Sequence, residues 1–144
     1  MQCRPCTEAD LPALLDLYTH LSPDDPKTDL VLARANLIAL GAYPGSGVLL
    51  GEVNGTLVAS STRIVIPNLS RRGRPYALLE NVVTHGDHRQ MGYGTQMLHH
   101  AVEGAFAQGC YKVMLLTGTG KQATLDFYAK AGFQQTKTGF QIRA

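Results

Sequence analysis

The sequence predicts one α/β domain built on a mixed central sheet with flanking helices, and three observations carry that prediction. The chain of 144 residues fits a single domain, 1–144, long enough to bury a core without disulfide staples. Strand-like and helical stretches follow one another in the order β-α-α-β-β-β-α-β-α-β. Turn chemistry punctuates them, with Asn54-Gly55 between two strands and Gly41, Gly109 and Gly132 after helices.

Taken in order, residues 2–6 read as a short edge strand. Thr7 and Asp10 stand at capping-box spacing before Leu11, Leu14, Leu15, Tyr18 and Leu21, the stripe of an amphipathic helix. Ser22-Pro23-Asp24-Asp25-Pro26 ends it. Thr28 is placed to cap a second helix over Leu30 to Leu40, which Gly41 stops. Val48 to Val53 and Leu57 to Ile66 form a hairpin through Asn54-Gly55, a pair suited to a positive-φ turn. Ala77 to Thr84 is apolar enough for a strand buried on both faces. A helix follows over Gly94 to Ala107, then a strand over Tyr111 to Thr117, a loop from Thr117 to Gly120, a helix over Gln122 to Lys130, and closing strand structure from Phe133 to Ile142.

Composition excludes several classes of function. No apolar run reaches the roughly 18 residues of a membrane span, and the first ten residues, MQCRPCTEAD, lack a secretory signal's apolar core, so a cytoplasmic protein is expected. Three cysteines, an odd number, agree with reduced thiols. A net charge of +2 is too mild to predict a nucleic-acid partner. Arg71, Arg72 and Arg74 make one denser basic loop, which reads either as solvated surface or as a contact for an acidic or phosphorylated acceptor.

The richest segment is Tyr76 to Ala101, where a strand, a polar loop, Arg89-Gln90-Met91-Gly92-Tyr93-Gly94 and a helix start follow in close order. A helix N-terminus offers unpaired N–H groups and the positive end of the macrodipole to an anion. Gly92 and Gly94 let the backbone approach closely or adopt positive φ, and Arg89 adds charge at the rim. The pattern suits a pyrophosphate. It is neither a nucleotide P-loop nor a dinucleotide fingerprint, since the Gly-Lys-Ser/Thr and the third glycine are missing. His85 and His88 have metal-like spacing but no evident further ligands, and Cys3-x-x-Cys6 has no partner pair, so no metal is expected. His99 and His100 face apart on a helix, and Cys110 reads as a buried thiol.

The Arg89–Gly94 run resembles the Arg/Gln-x-x-Gly-x-Gly/Ala signature of the GCN5-related N-acetyltransferases (GNAT family). A second likeness is Leu125-Asp126-Phe127-Tyr128-Ala129-Lys130-Ala131-Gly132-Phe133, similar to the family's helix-and-turn motif. Both motifs stand in the family's element order, and the resemblance spans essentially the whole chain. Within the family the chain is most similar to glucosamine-6-phosphate N-acetyltransferases, through Gly109-Cys110-Tyr111-Lys112-Val113 and Gln141-Ile142-Arg143. It departs from them at Thr117-Gly118-Thr119-Gly120, where they carry an acidic residue, and at Lys121, near the place of a frequent Asn.

The resemblance implies a GNAT fold with splayed parallel strands and an acetyl-CoA-dependent N-acetyltransferase acting on a primary amine by direct transfer. The acceptor would be a small metabolite such as an amino sugar or another anionic amine. Alternatives are a protein lysine or N-terminal amine as acceptor, or a coenzyme A-binding regulatory module without turnover. It implies main-chain contacts from Val82 and Val83 to the pantetheine arm. Arg89, Gln90, Met91, Gly92, Tyr93, Gly94 and Thr95 would hold the pyrophosphate, and the Tyr128 hydroxyl would serve the departing thiolate. Arg143, with Arg72 and Arg74, would meet the acceptor phosphate, and the closing strand would build a homodimer. Glu80 is the candidate base for the ammonium proton, or else it binds the acceptor's charge or pairs with a loop arginine. Strand alternation puts it on the face of Val82 and Thr84, with Asn81 opposite.

Overall fold

The computed structural model describes residues 1–118 and 120–144. Nine regular elements follow one another: β1 (Gln2–Pro5), α1 (Leu11–Tyr18), α2 (Leu30–Gly41), β2 (Gly47–Val53), β3 (Thr56–Ile66), β4 (Tyr76–Thr84), α3 (Tyr93–Ala107), β5 (Val113–Leu115) and α4 (Gln122–Lys130). Short 3-10 turns occupy Glu8–Asp10, Arg71–Gly73 and Gly86–His88. The strands form one sheet in the order β1-β2-β3-β4-β5, antiparallel except for the parallel β4–β5 pair. This is the mixed α/β sheet that the element order predicts.

The hairpin turn has its expected geometry, with Asn54 at φ 50° and Gly55 at φ 78°. Two positive-φ residues in succession match the right-handed twist of the flanking strands. One core lies between the sheet and α3, where Leu79, Met97, Leu98 and Ala101 pack with Val58 and Ala59. Another lies between the sheet and α1 and α2, built from Leu11, Leu14, Ala33, Val48 and Leu50. Each fully buried Leu or Met contributes about 1.5–3 kcal/mol, so the two faces clamp the sheet from both sides.

Several expectations need correction. Asp29, not Thr28, caps α2, its carboxylate accepting from the N–H groups of Val31 (2.9 Å) and Leu32 (3.2 Å). The strand expected over Tyr111 to Thr117 is only Val113–Leu115. The closing strand over Phe133 to Ile142 is absent from the described residues, and the tail carries Phe140 and Ile142 almost fully exposed. An isolated strand cannot satisfy its own backbone, so β character alone does not form one without an edge to pair with. Of the expected 117–120 loop, Thr119 lies outside the described residues. Among the described residues no helix is long and apolar enough to cross a membrane.

A charged knot ties the first strand to the domain. Arg4 donates to Asp10 (2.7 and 2.8 Å) and to Glu52 on β2 (2.6 and 3.2 Å), while Asp10 also accepts from the Thr7 N–H and hydroxyl. The Arg4 guanidinium, helped by the Thr7 donors, holds the Asp10 carboxyl well below the usual carboxylate range. Its stabilisation is therefore complete above about pH 4 and is lost as the pH falls through the depressed folded-state value. Asp10→Asn should lower stability at pH 7 by about 1–3 kcal/mol in chemical denaturation, and its gap from wild type should narrow progressively below about pH 4.

Candidate active site

The site begins where two strands part. β5 pairs with β4 only at Ala77, Leu78 and Leu79. From Glu80 to Thr84, β4 runs on against β3 alone, so its other edge has no ladder partner among the described residues. Within that free stretch Asn81 adopts φ 51°. The β3 partners step from Thr62 to Ser60 while those on β4 step from Glu80 to Val83, so Asn81 and Val82 together oppose Ser61. That is a β-bulge, which re-aims the side chains beyond it.

The bulge overturns the face expected for Glu80. Without it, Glu80, Val82 and Thr84 would share one side. Instead Glu80 lies opposite Thr62 in register, while Val82 packs on the α3-side core and the Thr84 hydroxyl sits beside Gly94 of α3. Glu80 is half-buried on the α1 side, where the Tyr18 hydroxyl faces those of Thr62 and Ser60 and Asn81 Nδ2 reaches Thr62 Oγ1 at 3.5 Å. Asn81 thus joins the same polar group rather than the opposite face. Val83 is buried, in register with Ser60.

Beyond β4 the chain makes its turn into α3. Gln90 has φ 62° and Gly92 φ 79°, and no side chain caps the helix that opens at Tyr93. Its first N–H groups therefore have no side-chain cap, with Gln90 and Met91 exposed and Tyr93, Gly94 and Thr95 half-buried beside them. The two glycines act differently. Gly92 supplies the left-handed residue, with open space where its Cβ would stand. Gly94 is helical, and a Cβ there would lie 3.1 Å from both the Phe127 ring and Thr84 Oγ1. Gly94 thus lets α3, α4 and β4 meet closely. The Arg89 guanidinium donates to two main-chain carbonyls, of His20 (3.1 Å) and Thr84 (3.4 Å).

Tyr128 comes to the cleft from α4, half-buried between Phe127 (ring centroids 5.0 Å) and Phe133 (6.2 Å). Burial, reinforced by the negative charge of Glu80, raises its phenol pKa above the ordinary value. The hydroxyl is therefore protonated at neutral pH and equipped to donate. The same dependence places Glu80 and Tyr128 within electrostatic reach of each other across the parted strands. Arg71, Arg72 and Arg74 gather with Tyr111 around a cavity of about 580 Å³ at the N-terminal end of β4, and Arg143 is exposed in the tail.

Comparison with known proteins decides the family. A profile described as the acetyltransferase (GNAT) family matches residues 13–133. The chain belongs to that family. The enzyme is 29% identical over 134 residues to the glucosamine 6-phosphate N-acetyltransferase of Trypanosoma brucei brucei, covering 93% of this chain and 89% of that one. It is 33% identical over 138 residues to glucosamine 6-phosphate N-acetyltransferase 1 of Oryza sativa subsp. japonica, covering 90% and 79%. A solved structure described as a putative acetyltransferase from Agrobacterium tumefaciens str. C58 superposes with a TM-score of 0.94 at 46% identity over all of both chains. This chain is accordingly a GNAT-type N-acetyltransferase.

In this enzyme the polar trio Tyr18, Ser60 and Thr62 escaped sequence reasoning. Tyr18 reads as one more apolar position of α1, and Ser60-Ser61-Thr62 as a lapse in an apolar strand. The signal was that lapse, since polar residues buried mid-strand need a reason. Cys3 and Cys6 are unpaired, and burial, then the nearby Asp10, pushes the Cys6 thiol up to about 11, away from the thiolate that nucleophiles and metals need. Gly92→Ala should cost about 1–2 kcal/mol, the penalty for a left-handed L-residue. Gly92→Asn should cost less, because Asn tolerates that conformation. Denaturant melts of the three proteins check the order.

Proposed function

We propose that the enzyme transfers an acetyl group from acetyl-CoA directly to the primary amine of a small anionic metabolite, an amino-sugar phosphate in the first instance. One observation carries the reading: the parting of β4 from β5 at Glu80, in front of an uncapped helix N-terminus and beside a protonated tyrosine. The donor set suits acetyl-CoA. The N–H groups of Gln90 to Thr95 would hold the pyrophosphate, with Arg89 firming the turn from behind. The free edge of β4 at Val82 and Val83 would bind the pantetheine arm as an added strand and hold negative charge on the thioester oxygen. Bound donor supplies an activated acyl carbon.

The remaining tasks fall to side chains. Glu80, on the α1 face, is placed to take a proton from the acceptor ammonium, directly or through water held among Tyr18, Ser60, Thr62 and Asn81. The amine then attacks the acyl carbon, the C–S bond breaks, the nitrogen gives up its second proton to water, and the thiolate leaves toward α4. Tyr128 would donate a hydrogen bond to it there. Its raised pKa keeps the phenol protonated, so its O–H remains available as a hydrogen-bond donor to the departing sulfur. Tyr128→Phe should lower turnover by about 10²-fold or more while changing the Kd for coenzyme A less than about threefold. Equal turnover would remove the assigned role.

The anionic acceptor is supported by Arg71, Arg72 and Arg74 around one cavity and by the names of the two curated relatives. A homodimer would complete the picture. β5 is an edge strand, and the exposed tail with Phe140, Ile142 and Arg143 is unsupported in one copy. A second reading, a protein amine as acceptor, is favoured by the cavity of about 480 Å³ between α1 and the β2–β3 hairpin, lined by Asp16, Thr19 and Lys27. Thiol release measured across glucosamine 6-phosphate, glucosamine, other amines and lysine peptides separates the two. Glucosamine 6-phosphate should outpace glucosamine, and Arg72→Ala with Arg74→Ala should erase most of that advantage by raising KM about tenfold. A preference for peptides would transfer the acceptor role to the second cavity.

A further inference from the structure

One side chain outside the acyl-transfer chemistry holds the pyrophosphate turn from behind. His20 follows the last turn of α1, where its N–H donates to Leu17 O at 3.0 Å, so its backbone is fixed by the helix. Its imidazole Nδ1 accepts from the Gly86 N–H at 3.3 Å, and its carbonyl accepts from Arg89 Nη2 at 3.1 Å. The His20 ring lies against that of His85 at 4.1 Å between centroids, tilted by 52°, and the series continues through His88 to Tyr93, the first residue of α3. Gly86 permits the approach, since a Cβ there would stand 3.3 Å from His20 Nδ1.

We propose that His20 is a positioning residue for coenzyme A, docking the 85–89 segment onto the end of α1 and thereby fixing the turn that presents its N–H groups to the pyrophosphate. The inference rests on the reading of Arg89 to Thr95 as the pyrophosphate site. The segment needs such a dock. Between Thr84 and Tyr93 the chain has one short 3-10 turn and two left-handed residues, Gln90 and Gly92, and regular structure does not hold it in place. His20 supplies two bonds at sequence separations of 66 and 69 residues, one through its ring and one through its main chain. Arg89, with Thr84 O as its second acceptor, closes the link back to β4.

The ring bond demands a particular protonation state. Nδ1 accepts only when it carries no proton, so the docked ring is the neutral tautomer protonated at Nε2. The groups around the ring have both signs. Asp16 from α1 and Lys27 from the 22–29 link line the adjoining cavity as an ion pair, and His85, Asp87, His88 and Arg89 come from the turn itself.

Three variants of the full-length enzyme test this. His20→Asn keeps an acceptor near the place of Nδ1, His20→Phe keeps the ring stacking without it, and His20→Ala removes both. Calorimetric titration with coenzyme A at pH 7.5 should give a Kd raised about fivefold in His20→Phe, the size of one net hydrogen bond. His20→Ala should lose at least as much, and His20→Asn should stay within about twofold of wild type. Amide exchange at Gly86 to Arg89, measured without ligand, should accelerate in His20→Phe and not in His20→Asn. An unchanged Kd in His20→Phe, or an equal loss in His20→Asn and His20→Phe, would overturn the proposal. If wild type binds no coenzyme A, the pyrophosphate reading fails first and this proposal falls with it, whatever the exchange data show.

Discussion

The structure turns on the brevity of one parallel ladder. β4 and β5 share three register pairs, and β4 then continues for five residues against β3 alone. An unpaired strand edge ordinarily invites aggregation and is blunted by charge, bulge or cover. Here it lies inside the domain, between the parted strands, where another chain has poor access. Glu80 and the Asn81 bulge occupy its first positions, and α3 and α4 cover the face beside it. A longer β5 would satisfy the edge and remove the groove in the same act. The site therefore exists because the sheet is left incomplete at one place while the helices around it are packed tightly.

The bulge gives the groove two chemically different sides. On the α3 side Val82 and Thr84 continue the apolar series begun by Ala77 and Leu79, and Phe127, Tyr128 and Phe133 close over it. On the α1 side Glu80, Asn81, Ser60, Thr62 and Tyr18 make a polar patch. A regular strand would have carried Val82 and Thr84 to the polar side with Glu80, and Asn81 and Val83 to the α3 side. The bulge at left-handed Asn81 instead keeps Val82 in the apolar packing and lets Asn81 join Glu80 on the polar side. Asn is the residue type, after glycine, that adopts this conformation most readily. The Ser61 hydroxyl lacks a hydrogen-bond partner among the described residues and marks the strand segment where the ladder is disturbed.

How much of this could be read from the sequence depended on the range of the interaction. The Asn54-Gly55 hairpin, the α4 helix over Gln122–Lys130 and the glycine turn before α3 were legible because adjacent residues set them. The two motifs also sufficed for the family. The side taken by Asn81, Val82 and Thr84 relative to Glu80 was not legible, because period-two alternation assumes no inserted residue and nothing local in Glu80-Asn81-Val82 announces one. The closing strand failed for a related reason: Phe133 to Ile142 has strand-like residues, but a strand is a property of a pair. Asp29 displaced Thr28 as the α2 cap by one position, within the usual uncertainty of helix ends. The partners of Arg89, a carbonyl 69 residues away among them, had no signal at all.

The same distinction explains why the cofactor side of this enzyme is better defined than its acceptor side. The proposed pyrophosphate site would use backbone N–H groups, whose geometry follows from the left-handed Gly92 and the helix start at Tyr93, both set by adjacent residues. Acceptor recognition uses side chains carried on loops, where the chain is freest to differ. Arg71 and Arg72 illustrate the point, since both hold left-handed φ values, 54° and 60°, in a loop that Asn68 staples through Ser70 and Arg74. Non-glycine residues held so cost about 1–3 kcal/mol each, and a loop with no task would relax or carry glycines. Backbone strain of this kind, concentrated on two arginines at one end of β4, fits a surface selected for the charge it presents rather than for the stability it adds.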